Sequence, residues 1–162
     1  MKKIIISPKK DLVFDLKVRE MCKFCKRFGK KANCAPYIES VEYYEKLLTR
    51  YRHGVLIYRD FLVYPHLDVE TQSKKSSMEI YKKVIEERNK LFAQGHYLFI
   101  GFGAGSCKVC KTCTFPCNKP QEALMPLEAT GMDVVRVLKK FDVKVEFPVN
   151  EHFHRVGAVF YD

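Results

Sequence analysis

Apolar positions along this chain switch between short continuous runs and a repeat every three to four residues, and the switches mark its elements. The β-branched run at residues 3–7 predicts a strand, and residues 12–15 a second short one. Val41, Tyr44, Leu48 and Tyr51 form one apolar stripe, predicting a helix over 40–53 with Ser40 as N-cap and Gly54 at its end. A strand follows over 55–58, resumes over 61–64 and stops at Pro65. The longest helix is predicted over 77–93, opened by a capping box of Ser76 and Glu79. Its face runs through Met78, Tyr81, Ile85, Arg88 and Phe92, broadened by Val84 and Leu91, and Gly95 closes it. Residues 96–100 read as an apolar central strand. Beyond it the pattern predicts a helical turn at 122–124, a helix over 134–141 capped by Asp133, and strands over 143–147 and 156–161. The alternation predicts an α/β fold: a mixed sheet with helices packed against it, in a single domain over 1–162. Two cysteine-rich loops, 22–36 and 105–120, interrupt the regular elements.

The chain has seven cysteines, all in those loops: Cys22, Cys25 and Cys34, spaced C-x2-C-x8-C, and Cys107, Cys110, Cys113 and Cys117, spaced C-x2-C-x2-C-x3-C. The second spacing is the one with which bacterial ferredoxins hold [4Fe–4S] clusters. Two-residue gaps let successive thiolates curl around one small inorganic body. Disulfide pairing would leave an odd cysteine. All seven are therefore candidate metal ligands, for one or two [4Fe–4S] clusters, with zinc as the alternative because repeated C-x2-C pairs also suit a zinc ribbon. In two-cluster ferredoxins the fourth cysteine of such a run crosses to the other cluster. On that pattern Cys117 joins Cys22, Cys25 and Cys34, and Cys107, Cys110 and Cys113 are left one ligand short. The missing eighth ligand falls at Ile38, where some two-cluster ferredoxins have a cysteine.

Net charge is +10, from 29 Lys and Arg against 19 Asp and Glu. That balance favours an acidic partner. Part of it belongs to the metal loops, where Lys23, Lys26, Arg27, Lys30, Lys31, Lys108, Lys111 and Lys119 would offset cluster charge. Hydrophobic residues make up 47% of the chain, enough for a packed core. The apolar run in residues 1–8 is too short for a signal peptide, and no stretch approaches the ~18 apolar residues of a membrane span. Clustered cysteines then point to a reducing cytoplasm, where they bind metal rather than pair as disulfides. The expected function is a cytoplasmic iron–sulfur protein passing electrons to an acidic redox partner. The alternatives are an enzyme or ligand-handling factor using an open cluster iron, and a zinc-stabilised nucleic-acid-binding module.

Weaker signals have plainer explanations. Gly101, Gly103 and Gly105 resemble a fragment of a dinucleotide fingerprint, but the third glycine is misplaced and cysteines follow instead of a helix. A tight turn aimed at cluster sulfurs suits them better. His152 and His154 share one face of an extended segment and could bind metal or titrate; a surface pair is the plainer reading. Asp133 is explained by capping. The C-x3-C-x2-C run of radical enzymes is absent, since Cys117 is followed by Asn118, Lys119 and Pro120.

The segments Cys22-x2-Cys25-x2-Phe28-Gly29, Cys34-Ala35-Pro36, Gly105-x-Cys107-x2-Cys110-x2-Cys113-x3-Cys117 and Met125-Pro126-Leu127-Glu128-Ala129-Thr130-Gly131-Met132-Asp133-Val134 resemble a family of predicted metal-binding proteins, DUF2284. The family tends to have Pro where Ala35 stands, and Ser-Met where Pro126-Leu127 stand. Neither departure touches a thiolate. The resemblance implies cysteine-bound metal, usually taken to be iron–sulfur.

Overall fold

The computed structural model describes residues 1–146 and 148–162. It begins with strand β1 (Lys2–Ile6), a helical turn α1 (Pro8–Asp11) and a short helix α2 (Leu16–Glu20). Helix α3 (Val41–Leu48) and strand β2 (His53–Leu62) follow. The long helix α4 (Val69–Ala93), strand β3 (Phe99–Gly103) and the two-residue strand β4 (Met125–Pro126) come next. Helix α5 (Val134–Lys139) and strand β5 (His152–Tyr161) end the chain's regular structure. The sheet order is β1-β2-β5-β3-β4. Its pairs are antiparallel except β3–β4, which is parallel. The mixed sheet packed by helices is the predicted fold class.

Because neighbouring strand residues point to opposite faces, β2 and β5 feed two cores. On one face Leu56, Tyr58, Val156, Ala158 and Phe160 pack with Leu48 of α3 and Val137 and Leu138 of α5. On the other, Val55, Ile57 and Val159 meet Ile80, Val84 and Leu91 of α4. Both faces of these strands are covered, so Val55–Tyr58 are buried without interruption. Truncating a fully buried side chain such as Phe160 to Ala would cost about 3–5 kcal/mol.

The element starts follow from local chemistry. The Ser40 side chain accepts from the Tyr43 N–H (3.2 Å), and Asp133 from the Arg136 N–H (3.0 Å), as expected of the two N-caps. Helix α4 starts earlier than predicted: Asp68 caps it by accepting from the Thr71 N–H at 2.7 Å. Ser76 and Ser77 lie buried inside it, and both hydroxyls turn back to the Ser73 carbonyl. Its buried face includes Val84 and Leu91, as expected, but is completed by Ile80 and Glu87 instead of the rest of the predicted stripe, and Phe92 is 57% exposed. The pattern alone could not reveal Glu87 as a facing residue, because its burial depends on an ion pair with Lys3 of β1.

Other expectations need correction. Residues 12–15 make a single bridge, Phe14 to Met132, instead of a strand. Helix α3 stops at Leu48, where the Thr49 hydroxyl donates to the Glu45 carbonyl. Strand β2 runs unbroken through Arg59 and Asp60, because the whole of it pairs with β5. Strand β3 starts only at Phe99 and takes in Gly101 and Gly103, so these glycines form no turn. A Cβ on Gly101 would stand 2.8 Å from Arg88 Cδ; close packing of α4 explains the glycine. The predicted turn at 122–124 lies two residues earlier, over 120–122, where the Glu122 and Ala123 N–H groups both donate to Lys119 O. Residues 143–146 carry no strand, and Phe147, the last residue of that predicted strand, lies outside the described residues. Among the described residues no helix is long and apolar enough to cross a membrane.

Candidate metal centre

The two cysteine loops touch each other. The first leaves α2 through a 3₁₀ turn, Met21–Phe24, and carries Cys22, Cys25 and Cys34. The second leaves β3 through Gly105, whose φ of +73° suits glycine, and carries Cys107, Cys110, Cys113 and Cys117. All seven thiols are free.

Distant segments hold the loops together. The Ala32 N–H donates to Cys113 Sγ at 3.3 Å. The Tyr37 and Phe115 rings meet edge to face, 4.8 Å between centroids. The Arg19 guanidinium donates to the carbonyls of Ala129 (2.5 Å), Glu39 (2.9 Å) and Ile38 (3.4 Å), pinning α2 to both the loop exit and the 3₁₀ turn Leu127–Thr130. Ile38, at the place of the absent cysteine, thus contributes its main chain to the loop's anchoring.

The seven thiols divide into two groups. Cys107, Cys110, Cys113 and Cys117 all line one small cavity of about 20 Å³, together with Lys31 and Asn33. Cys22, Cys25 and Cys34 line a separate cavity of about 600 Å³. This differs from the shared-ligand expectation, in which Cys117 joins the first three. Beside Cys117, the Asn118 N–H donates to Thr114 Oγ1 at 3.2 Å.

The groups are near enough to feel each other. Burial pushes the Cys34 thiol up to about 12. The charges of Cys25, Cys22 and Cys107 add to that, and Lys31 opposes it. Cys22 is raised as well, by burial first, with Arg19 pulling the other way. Lys108 is lowered, chiefly by burial and then by Arg155 and Arg27; its ammonium donates to Ser106 O at 2.9 Å. Of the remaining predicted cations, Lys23, Arg27 and Lys119 are paired with Glu20, Glu70 and Glu122.

The donor set suits a metal group. Four thiols around one opening is the count that a zinc or a [4Fe–4S] site takes. Tetrahedral zinc, with Zn–S of about 2.3 Å, draws its sulfurs to within about 4 Å of one another. Among the described residues, no three His, Cys, Asp or Glu side chains close on a point as a bare ion needs.

Two further groups line the larger cavity. Glu128 faces it. The residue is exposed, and the protein atoms crowding its carboxyl push its pKa up, against its own N–H and the Arg155 charge. His154 also lines the cavity. Asp60 stands directly opposite on β2, and the His154 Nδ1 lies 2.6 Å from its Oδ1. Tyr58 hydrogen-bonds the same carboxylate, and burial, more than that bond, raises its phenol. His154 Nε2 accepts from the Glu146 N–H at 3.1 Å. No sequence signal marks the Asp60–His154 pair, because it exists only through strand register.

The chain belongs to the family described as predicted metal-binding proteins (DUF2284), whose model matches residues 5–161. No curated protein and no solved structure matches it.

Proposed function

We propose that this metal-binding protein is an iron–sulfur protein that passes electrons. Cys107, Cys110, Cys113 and Cys117 would hold one [4Fe–4S] cluster, and Cys22, Cys25 and Cys34 would give three thiolates to a second. The carrying observation is that the later four thiols, spaced as in ferredoxins, line one cavity with a main-chain N–H already directed at Cys113. Bound there, such a cluster supplies a one-electron donor and acceptor. The chain's own residues set how readily that happens. The Ala32 N–H favours the more negative, reduced state, and Lys31, which lines the same cavity, adds positive charge. Cys107 is felt electrostatically at Cys34, so the two thiol groups are neighbours, as stepwise electron transfer needs.

An acidic redox partner in a reducing cytoplasm suits the surface around the loops. Lys26, Lys30 and Lys111 have no ion-pair partner among the described residues. Phe24, 90% exposed, stands between Lys23 and Lys26 in the chain. A second reading, an enzyme using an open iron as a Lewis acid, draws on the three-thiol group and the 600 Å³ cavity beside it.

The test is iron and acid-labile sulfide content of protein purified without oxygen, with EPR before and after reduction. Iron with matching sulfide and a reducible signal is expected. Stoichiometric zinc without sulfide overturns the reading, and salt-sensitive nucleic-acid binding by such a zinc form would replace it. An EPR signal that responds to small molecules selects the enzyme reading.

A further inference from the structure

Two enclosed polar atoms, Asn33 Nδ2 and Arg88 Nε, have no hydrogen-bond partner among the described residues. The rest of the Arg88 guanidinium is engaged: Nη1 donates to Gln121 O at 3.2 Å, and the group lies over the Phe99 ring. Asn33 differs in where it stands. It belongs to the first cysteine loop, yet it lines the small cavity of Cys107, Cys110, Cys113 and Cys117. A buried donor left unmade costs about 1–3 kcal/mol, and buried polar groups are otherwise nearly always paired. An orphan donor on the wall of four thiols therefore calls for an acceptor that belongs to that cavity.

The residues just before it point the same way. The Ala32 N–H donates to Cys113 Sγ at 3.3 Å, and Lys31 lines the same cavity. The Cys34 N–H closes a turn onto Lys31 O at 3.1 Å, which holds all three residues ahead of Cys34. Residues 31–33 thus bring a cation, a main-chain N–H and a side-chain amide to one place, and the long gap between Cys25 and Cys34 supplies the chain that reaches across. Of the other groups on the cavity wall, Thr114 Oγ1 already accepts from the Asn118 N–H. The four sulfurs are weak acceptors as thiols. Metal binding takes their protons, and an ionised acceptor makes a bond about twice as strong.

We propose that the Asn33 side-chain amide donates to the sulfurs of the metal group that Cys107, Cys110, Cys113 and Cys117 would hold, so that the first cysteine loop sets the charge balance of the later site. The role rests on the metal group proposed for those thiols, but it needs no choice between iron–sulfur and zinc. In an iron–sulfur site an N–H directed at sulfur favours the more negative, reduced state. In a zinc site it draws charge off the thiolates. Asn33 is a positioning and tuning residue, since it acts through the sulfurs. A filler of space would behave differently. Loosened packing lets in water, whose dipoles also favour the more negative state and raise the potential, whereas loss of the donor lowers it. The sign of the change separates the two.

The experiment compares the parent protein with Asn33→Leu, which keeps a branched side chain and removes the donor. Both are purified without oxygen and titrated, following by EPR the signal that Cys117→Ala removes. The midpoint of that signal should fall in Asn33→Leu, with the reduction equilibrium moving about two- to tenfold towards the oxidised form, or up to about 60 mV for one electron. The earlier site's midpoint should move less. An unchanged or raised midpoint in a loaded variant overturns the assignment. The parent protein gives a second measurement, which stands even where Asn33→Leu fails to hold its metal. With 15N-asparagine labelling, the Asn33 side-chain amide protons should move downfield when Zn(II) is added to the metal-free protein, and their failure to move overturns the assignment. A zinc-dependent downfield shift in a protein that shows no reducible signal would end the electron-transfer reading and support this donor. Absence of any metal at the four thiols would overturn both.

Discussion

The Ala32 N–H donates to Cys113 Sγ across 3.3 Å, joining the first cysteine loop to the second. A donor aimed at a ligand sulfur stabilises negative charge there, and hydrogen bonds to the sulfurs are among the levers on cluster potential. Ala32→Pro removes the donor without adding bulk elsewhere. The midpoint potential of the site containing Cys113 should move negative, and the loop should lose about 1 kcal/mol of stability. A redox titration followed by EPR reads this directly; an unchanged midpoint would show that the bond does not act on a cluster.

Cys117 lines the same cavity as Cys107, Cys110 and Cys113, apart from the earlier three. Cys117→Ala should therefore disturb the later site and leave the earlier one loaded. Cys34→Ala should do the reverse. Iron and sulfide per chain, with EPR to separate the two signals, decides the matter. Loss of the earlier site's signal in Cys117→Ala would restore the shared-ligand arrangement of two-cluster ferredoxins.

Glu128 makes stability depend on pH. Its folded pKa is raised, so below the ordinary carboxyl value near 4.5 both folded and unfolded chains hold the proton and the group has no effect. As pH rises through that value the unfolded chain ionises while the native state resists, and stability falls until the folded pKa is passed. Glu128→Gln removes the conflict. The variant should be more stable than the parent at pH 7, with a gap that closes as pH drops towards about 5. Urea denaturation across that range would show it, and a gap independent of pH would contradict it.

Gly131 has a φ of +87°, and a Cβ there would stand 2.6 Å from Val41 Cγ2. Gly131→Ala should cost roughly 2–3 kcal/mol, read from the urea midpoint, because left-handed backbone and a clash act together. Adding Val41→Ala relieves the clash but not the backbone. The double variant should recover part of the loss, and full recovery would mean that the conformation carries no penalty.

The two cysteine loops, the caps Ser40 and Asp133, and strand β1 were legible along the chain because each rests on neighbours a few residues apart. The same holds for the mixed α/β character, which follows from alternating periods. Family membership was legible too, since spaced cysteines and the run through Glu128 and Gly131 are linear patterns.

Tertiary structure alone settled what joins what. Asp60 meets His154 because ten-residue strands pair in one register. Glu87 is buried because Lys3 of the edge strand reaches it. The small cavity lined by the four later cysteines, and the larger one lined by Cys22, Cys25 and Cys34, come from loops that close over 80 residues of intervening chain. Local spacing constrains which groups can curl around one centre, but it contains no information on how two such loops pack. That packing is decided by contacts whose partners are far apart in sequence, and only the folded chain brings them together.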